Sequence, residues 1–511
     1  MNYSKNLILY KSLILLIAAF IIIIKNTTAL SLNKLPEDTI SKTQNIEHSR
    51  VLPLSIDSIT ALALKNSLDI QIAKYDTYMS KTDLKESESI FDTFLTLEAN
   101  YRDNKQRLSS TTDDSRKRNK IFSMSLEKDL PTGSTIALEA NDTRTSSNLS
   151  TVAISPNYET STAITLTQSI GKNFFGLKDR GDIQITKIKI ENAKYSSLDS
   201  IESVLYNIQT GYWSLVLKDK TLEVRADMLR KAEELYQRYQ DKYSRGLAEE
   251  VDIFAVKANL KNRENELLIA RLDRELAKNN LLFLLNEADC SIDIETLDNL
   301  KIKLINKEIG IELKEAIENR RDYKTIMNNI ESKNIDIKIK KNSLWPEIDL
   351  EASFTKNGIK SNENNAWSDI TRENNSETYV GISFNIPLEN REARSELKEA
   401  QLYKEQLLLS LKRVERLILK EVHNRVRSVN SLKNQAELYN SIVELQQNKL
   451  HEETKRFNYG RSDSDTVIRY EEDLLNAELN LAIALYDYHI SLADLAITKN
   501  NLLDEDWIFQ L

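Results

Sequence analysis

The chain predicts a mostly α fold in which a long antiparallel helical hairpin occurs twice, each copy preceded by β strands. Three observations carry this. Beyond position 260 residues recur at a constant offset of 214, pairing Leu260 with Leu474, Asn262 with Asn476, Glu264 with Glu478, Leu267 with Leu481, Ile269 with Ile483, Asp273 with Asp487 and Leu281 with Leu495. Such a run is an internal tandem. Upstream, an offset of 253 links Ala63 to Ala316, Asn66 to Asn319, Asp69 to Asp322, Asp83 to Asp336 and residues 97–99 to 350–352. The difference, 253 − 214 = 39, places an insertion of 39 residues in the first copy, between its first strand and its long helix. Finally, all six Pro lie outside four long segments of helical spacing.

Residues 1–29 read as a secretory signal. Lys5 and Lys11 make a basic start, residues 13–24 are an unbroken apolar run, and Thr27, Thr28 and Ala29 offer a small-residue cleavage site. The run is shorter than the roughly 20 residues of a spanning helix. An uncleaved anchor is the alternative, because residues 7–10 extend the apolarity past Lys11. No Cys follows the run, so acylation there is excluded. Removing the signal takes away Lys5, Lys11 and Lys25 and no acid, moving the net charge from −8 to about −11. No basic block then remains to release counterions from nucleic acid. Cys290, the single Cys, forms no intrachain disulfide.

A polar connector, 30–53, precedes the first repeat, 54–286. Residues 55–90 read as a helix through Ile59, Leu62, Ala63, Ile70 and Ala73. The period then changes to two: Phe91, Leu95, Leu97, Ala99 and Tyr101 alternate with polar residues, so strands are expected within 91–170. The insertion carries its own alternating runs about Phe122, Met124 and Leu126 and about Ile136, Leu138 and Ala140. Pro131, Thr132 and Gly133 between them signal a turn, so an added hairpin is expected at about 121–140. Polar tracts such as 103–120 and 141–160 read as exposed loops.

Long helices are expected at 182–246 and 249–286. In the first, Leu198, Ile201, Leu205, Ile208, Tyr212 and Leu215 recur at spacings of three and four. This is a seam rather than a broad face. A helix of that length needs neighbours along all of it. An irregular connector, 287–310, leads to the second repeat, 311–503, with strands within 346–387, long helices at 391–458 and 464–500, and a tail, 504–511.

Both long hairpins turn at a Gly. At the first bend stand Tyr243, Gly246, Leu247 and Asp252; at the second, Phe457 and Gly460. Gly supplies the conformation of a tight helix end, and Asp252 can cap the return helix. Catalysis finds little support. His48, His423, His451 and His489 are scattered and read as solvated surface residues, no phosphate-binding glycine loop or nucleophile elbow is present, and Glu249 and Glu250 read as ordinary charge on an exposed helix. Neither a cofactor nor a metal site is expected.

The order signal, helix, strands, long helix, bend, return helix, duplicated, resembles the TolC family of outer-membrane efflux proteins over about residues 54–495. Residues 168–176 and 386–400 resemble the family's transitions from barrel to periplasmic helices. The resemblance implies duplicated helical hairpins forming an α-barrel tunnel, and a transmembrane β-barrel shared by a homotrimer in the outer membrane of a Gram-negative bacterium, with a large periplasmic portion. Closure is also what lipid demands of strands, which cannot leave an edge unpaired there. Two arrangements are open: the family's usual four strands per protomer with the added hairpin outside the membrane, or six with the hairpin in the sheet. The implied partners are outer-membrane lipid, a periplasmic adaptor (membrane fusion) protein and an inner-membrane pump or ABC transporter. The adaptor would dock at the tips, on Tyr243, Gly246, Leu247, Asp252, Phe457 and Gly460. The implied function is a passive exit duct for efflux or type I secretion.

One departure concerns the tunnel mouth, where the family carries acidic rings: the acid six places after Gly460 is replaced by Thr466, with Arg469 three further on. Asp463 and Asp465 are the candidate replacements, helix capping being the alternative for them. The competing class for the whole chain is a periplasmic coiled-coil scaffold without a pore.

Overall fold

The computed structural model describes residues 51–105, 116–147, 155–301, 306–372 and 375–503. The signal, most of the polar connector and the tail lie outside the described residues. In chain order the elements are β1 (Val51–Leu54), α1 (Ile56–Asn66), α2 (Leu68–Glu88), β2 (Thr93–Lys105), β3 (Arg116–Asp129), β4 (Ser134–Ser147), β5 (Asn157–Ser169), α3 (Leu177–Ser244), α4 (Glu250–Leu284), β6 (Asp293–Thr296), α5 (Ile309–Asn319), α6 (Arg321–Asn342), β7 (Glu347–Lys360), α7 (Glu363–Arg372), β8 (Ser376–Asn385), α8 (Arg391–Asn458) and α9 (Ser464–Thr498).

Helices α3 and α8 each have 68 residues, about 100 Å at the usual rise. Nothing of that length is stable alone, and its neighbours are visible: α3 packs on α4 and α9, and α9 packs on α8, with α6 laid against α3 and α8 and α2 against α3. The seam of Leu198, Ile201, Leu205, Ile208, Tyr212 and Leu215 is buried throughout and joins Ile59, Ala63, Leu281 and Ile294 in the largest core.

Residues 55–90 are not one helix. The backbone leaves helical conformation at Ser67 (ψ 126°) and resumes at Leu68. Its duplicate, Arg320 (ψ 121°), breaks α5 from α6 in the same way. In both breaks the backbone N–H still donates four residues back, Ser67 to Ala63 and Arg320 to Ala316, each at 2.9 Å. The connector expected to be irregular holds β6, which pairs in parallel with β1.

His489 is a correction to the surface reading. It is 5 % exposed, its ring stacks on Trp213 at 4.0 Å, and its Nε2 lies 3.0 Å from the carbonyl of Lys301. Beside it, the Tyr212 hydroxyl donates to Asp298 at 2.8 Å, and Asp298 also accepts from the backbone N–H of Ile56 at the start of α1.

The six remaining strands form one antiparallel sheet in the order β2-β3-β4-β5-β7-β8. The inserted residues therefore do not project as a separate hairpin. Strands β3 and β4 sit between β2 and β5, paired along nearly their whole length, because their alternation matches that of their neighbours and puts apolar residues on one face of the sheet and polar residues on the other. Much of the tracts expected as loops is strand. Helix α7, unpredicted, connects β7 to β8 and packs on β5 and β7.

Candidate functional site

The two hairpin bends are built identically. Gly246 (φ +69°) and Gly460 (φ +70°) stand just past α3 and α8, and the residues after them, Leu247 and Arg461, donate their N–H five residues back to Lys242 and Arg456 at 2.8 and 2.9 Å. This is the six-to-one closure of a helix ending in a left-handed residue, and a Cβ there would strain it. Glu249 is the N-cap residue of helix α4, and Asp252 takes part in the cap from three places on. The two form a reciprocal capping box, in which Asp252 accepts from the Glu249 N–H at 3.0 Å. Glu249 is thus a structural cap rather than ordinary surface charge.

Exposure divides the expected tip residues. Tyr243 is 47 % and Leu247 73 % exposed, whereas Phe457 is only 4 % exposed. Phe457 faces inward as a core group: it stacks on Tyr239 at 6.0 Å, lies under the Lys242 ammonium at 4.3 Å, and joins Leu235, Val256 and Val467 in a small core binding the two tips together. Tyr459, at 78 %, is the outward aromatic of the second bend.

Asp463 is the N-cap of α9, its Oδ1 accepting from the Thr466 N–H at 2.8 Å. That bond holds its carboxyl below the usual range. Asp465 lies exposed in the following turn. Arg263 of α4 ties the return helices together, pairing with Glu266 at 2.9 Å and with Glu472 of α9. Close by, Glu471 sits among Lys231, Glu234 and Arg238 of α3 and Arg263, and burial pushes its carboxyl up to about 7.

The sheet carries two unlike faces. Its register aligns Leu95, Leu126, Leu138, Ile164 and Phe354 in one row across five strands. Of these, Leu95, Leu138, Ile164 and Phe354 are 43–48 % exposed. The opposite face is polar, its rows including Thr96, Ser125, Glu139, Ala163, Thr355 and Glu377. Glu98, Glu127 and Glu351 share it, while Arg102 and Lys117 stand on it only near the end away from the helices. Sequence reasoning missed this acidic face, although alternation alone lists its members once the strands are drawn. Strands of 10 to 14 residues meet the roughly 9–11 that a spanning strand needs. Among the described residues, the outer edges of β2 and β8 pair with no further strand.

The helical layer also has two margins, and both are apolar. Leu268, Leu272 and Leu276 of α4 are 66, 59 and 59 % exposed, and Leu438, Ile442 and Leu445 of α8 are 66, 41 and 68 %.

A family model described as outer membrane efflux protein matches residues 134–287 and 313–498. Among solved structures, the CmeC outer membrane channel of Campylobacter jejuni is similar with a TM-score of 0.64 at 14 % identity, over 88 % of this chain and 86 % of that one. VceC from Vibrio cholerae is similar with a TM-score of 0.62 at 17 % identity, over 87 and 96 %. The open state of the MtrE channel of Neisseria gonorrhoeae has a TM-score of 0.62 at 13 % identity, over 91 and 95 %. No curated protein matches the chain.

Proposed function

From the premise that the chain belongs to the outer membrane efflux protein family, we propose that it is a passive duct: three copies close one barrel in the outer membrane and one helical tunnel in the periplasm, taking energy from an inner-membrane pump or ABC transporter through a periplasmic adaptor. The observation that carries this reading is the two-faced sheet with unpaired margins. A sheet apolar on one side and acidic on the other has no use for a single solvent, and its open edges cannot stay unpaired in lipid. Six strands alternate in direction, so β8 of one copy meets β2 of the next antiparallel. Three copies then close eighteen strands, with the apolar face outward and Glu98, Glu127, Glu139 and Glu351 toward the lumen.

The helical margins support the same closure, because α4 of one copy and α8 of the next present unlike apolar seams, and such head-to-tail contacts generate rings. At the far end of the tunnel, Tyr243 and Leu247 are the exposed groups for adaptor docking, Gly246 and Gly460 shape the bends, and Asp252 fixes the start of α4. Phe457 holds the tips together instead. Small toxic compounds are the default cargo, and a type I secreted polypeptide would use the same duct.

Single-channel recording of the detergent-purified chain in a planar bilayer tests this. Discrete cation-selective openings are expected, since carboxylates lining a pore concentrate cations. The variant E98Q/E127Q/E139Q/E351Q removes four acids of the polar face, and D463S/D465N those of the tip while keeping a capping oxygen at 463. Whichever abolishes selectivity locates the filter. Folded protein that never inserts returns the pore-free scaffold.

A further inference from the structure

Six residues along the strands from the row of Leu95, Leu126, Leu138, Ile164 and Phe354, about 20 Å at strand rise, the same face carries another complete row: Tyr101, Lys120, Arg144, Tyr158 and Lys360. It lies at the end away from the long helices, since the opposite turn, at Gly133, abuts Gly176 beside the start of α3. Lys120 stands directly across from Arg144, and Arg118 follows on the same face of β3. Like charges directly opposite one another on a sheet are destabilising. The acids at this end have partners of their own. Asp103 pairs with Arg116 at 2.8 Å and Asp369 of α7 with Lys360 at 3.2 Å. Asp142 lies against Trp367 and Glu363 of α7, and Glu363 is the acid near Arg144 among the described residues. Tyr101, Arg118, Lys120 and Arg144 border one groove, whose side toward the apolar row is Ala99 and Phe122. The Arg144 guanidinium lies over the Tyr158 ring at 5.4 Å.

We propose that this groove binds the phosphate-bearing headgroup of a membrane lipid, with the lipid's acyl chains lying on the apolar rows below. The inference rests on the reading that the sheet spans a membrane. Three cations held within two rows supply the charge-assisted bonds that phosphate oxygens take, and a bound dianion converts the Lys120–Arg144 apposition from repulsive to bridged. The flanking tyrosines suit the boundary between hydrocarbon and headgroups, where amphipathic rings collect. Placement decides between a lipid and a free anion: on the side toward the apolar rows the groove is bounded by Ala99 and Phe122, so a ligand carrying both phosphate and chains fills it and continues onto that face.

The test is native mass spectrometry of the full chain in detergent, titrated with diphosphoryl lipid A and with the same lipid after removal of both phosphates. The wild type retains the diphosphoryl form at least tenfold better. K120Q lowers its affinity about fivefold, and R118Q/K120Q/R144Q roughly a hundredfold, at about fivefold per basic group near a headgroup. R102Q/K117Q, changed on the opposite face, binds as the wild type does. Equal retention of the two lipids, or equal binding by the triple variant with its strand signal intact in circular dichroism, overturns the proposal. Failure of the membrane reading has a different signature, the absence of bilayer insertion by every form. Normal insertion without phosphate preference defeats the lipid site alone.

Discussion

At the scale of single residues the tip is set by backbone demands more than by chemistry. Gly246 and Gly460 accept left-handed conformations, and Asp463 and Glu249 supply caps. Glu471 is the exception, an acid placed where burial raises its carboxyl from an ordinary 4.5 to about 7. Between those two values the folded chain keeps a proton that the unfolded chain has released, so this residue makes folding less favourable as pH rises from about 4.5 to about 7, with no further loss above. E471Q is therefore expected to be more stable than the wild type at about pH 8 and no different at about pH 4. Thermal unfolding followed by circular dichroism across that range checks it, and parallel pH profiles for both proteins would remove Glu471 as the cause.

Among the elements, the joint between α3, α6 and the end of α9 is held by one carboxylate. Glu202, fully buried in α3, accepts from Arg321 at 2.9 Å, from the Asn500 side chain at 2.8 Å and from the Leu502 N–H at 3.2 Å. Asp199 adds a second contact to Arg321 at 3.0 Å. Arg321 is itself 1 % exposed, so removing it strands a buried charge. R321A is expected to lose about 3–5 kcal/mol. The double variant R321M/E202L, which removes both charges, recovers most of that in denaturant titrations. A single variant no weaker than the double one would show that the pair contributes nothing beyond its packing. The same break at Ser67 and Arg320 shows the duplication acting on elements, since each copy interrupts its first helix at the equivalent residue.

At the scale of the whole molecule, the described residues of one chain leave four margins uncovered: two of the sheet and two of the helical layer. Leu272 and Leu276 on α4 lie at one helical margin, where a partner's α8 would cover them in the proposed trimer. L272E/L276E is expected to shift the assembly from trimer to monomer in light scattering, because two charges would then be buried without partners. A trimer of unchanged stability would place the subunit contact elsewhere. The mutation lies far from the sheet, so strand signal in the dispersed protein tells whether the barrel or the helices hold the copies together.

Periodicity and repetition determined much of this protein directly from sequence. The duplication, the Pro-free long helices, the Gly bends and the alternating strands are local properties, and each is legible because helix and strand impose their own spacing on apolar residues. Only tertiary structure decided the rest. That β3 and β4 join the sheet rather than leave it depends on their register with β2 and β5, the strands on either side of them. That Phe457 and His489 face inward depends on the other hairpin, which supplies Tyr239 and Trp213 as their partners. The row of Lys120, Arg144 and Lys360 draws on three separate strands. Its members acquire a common chemistry only when hydrogen bonding aligns those strands, and no spacing along one strand encodes that alignment.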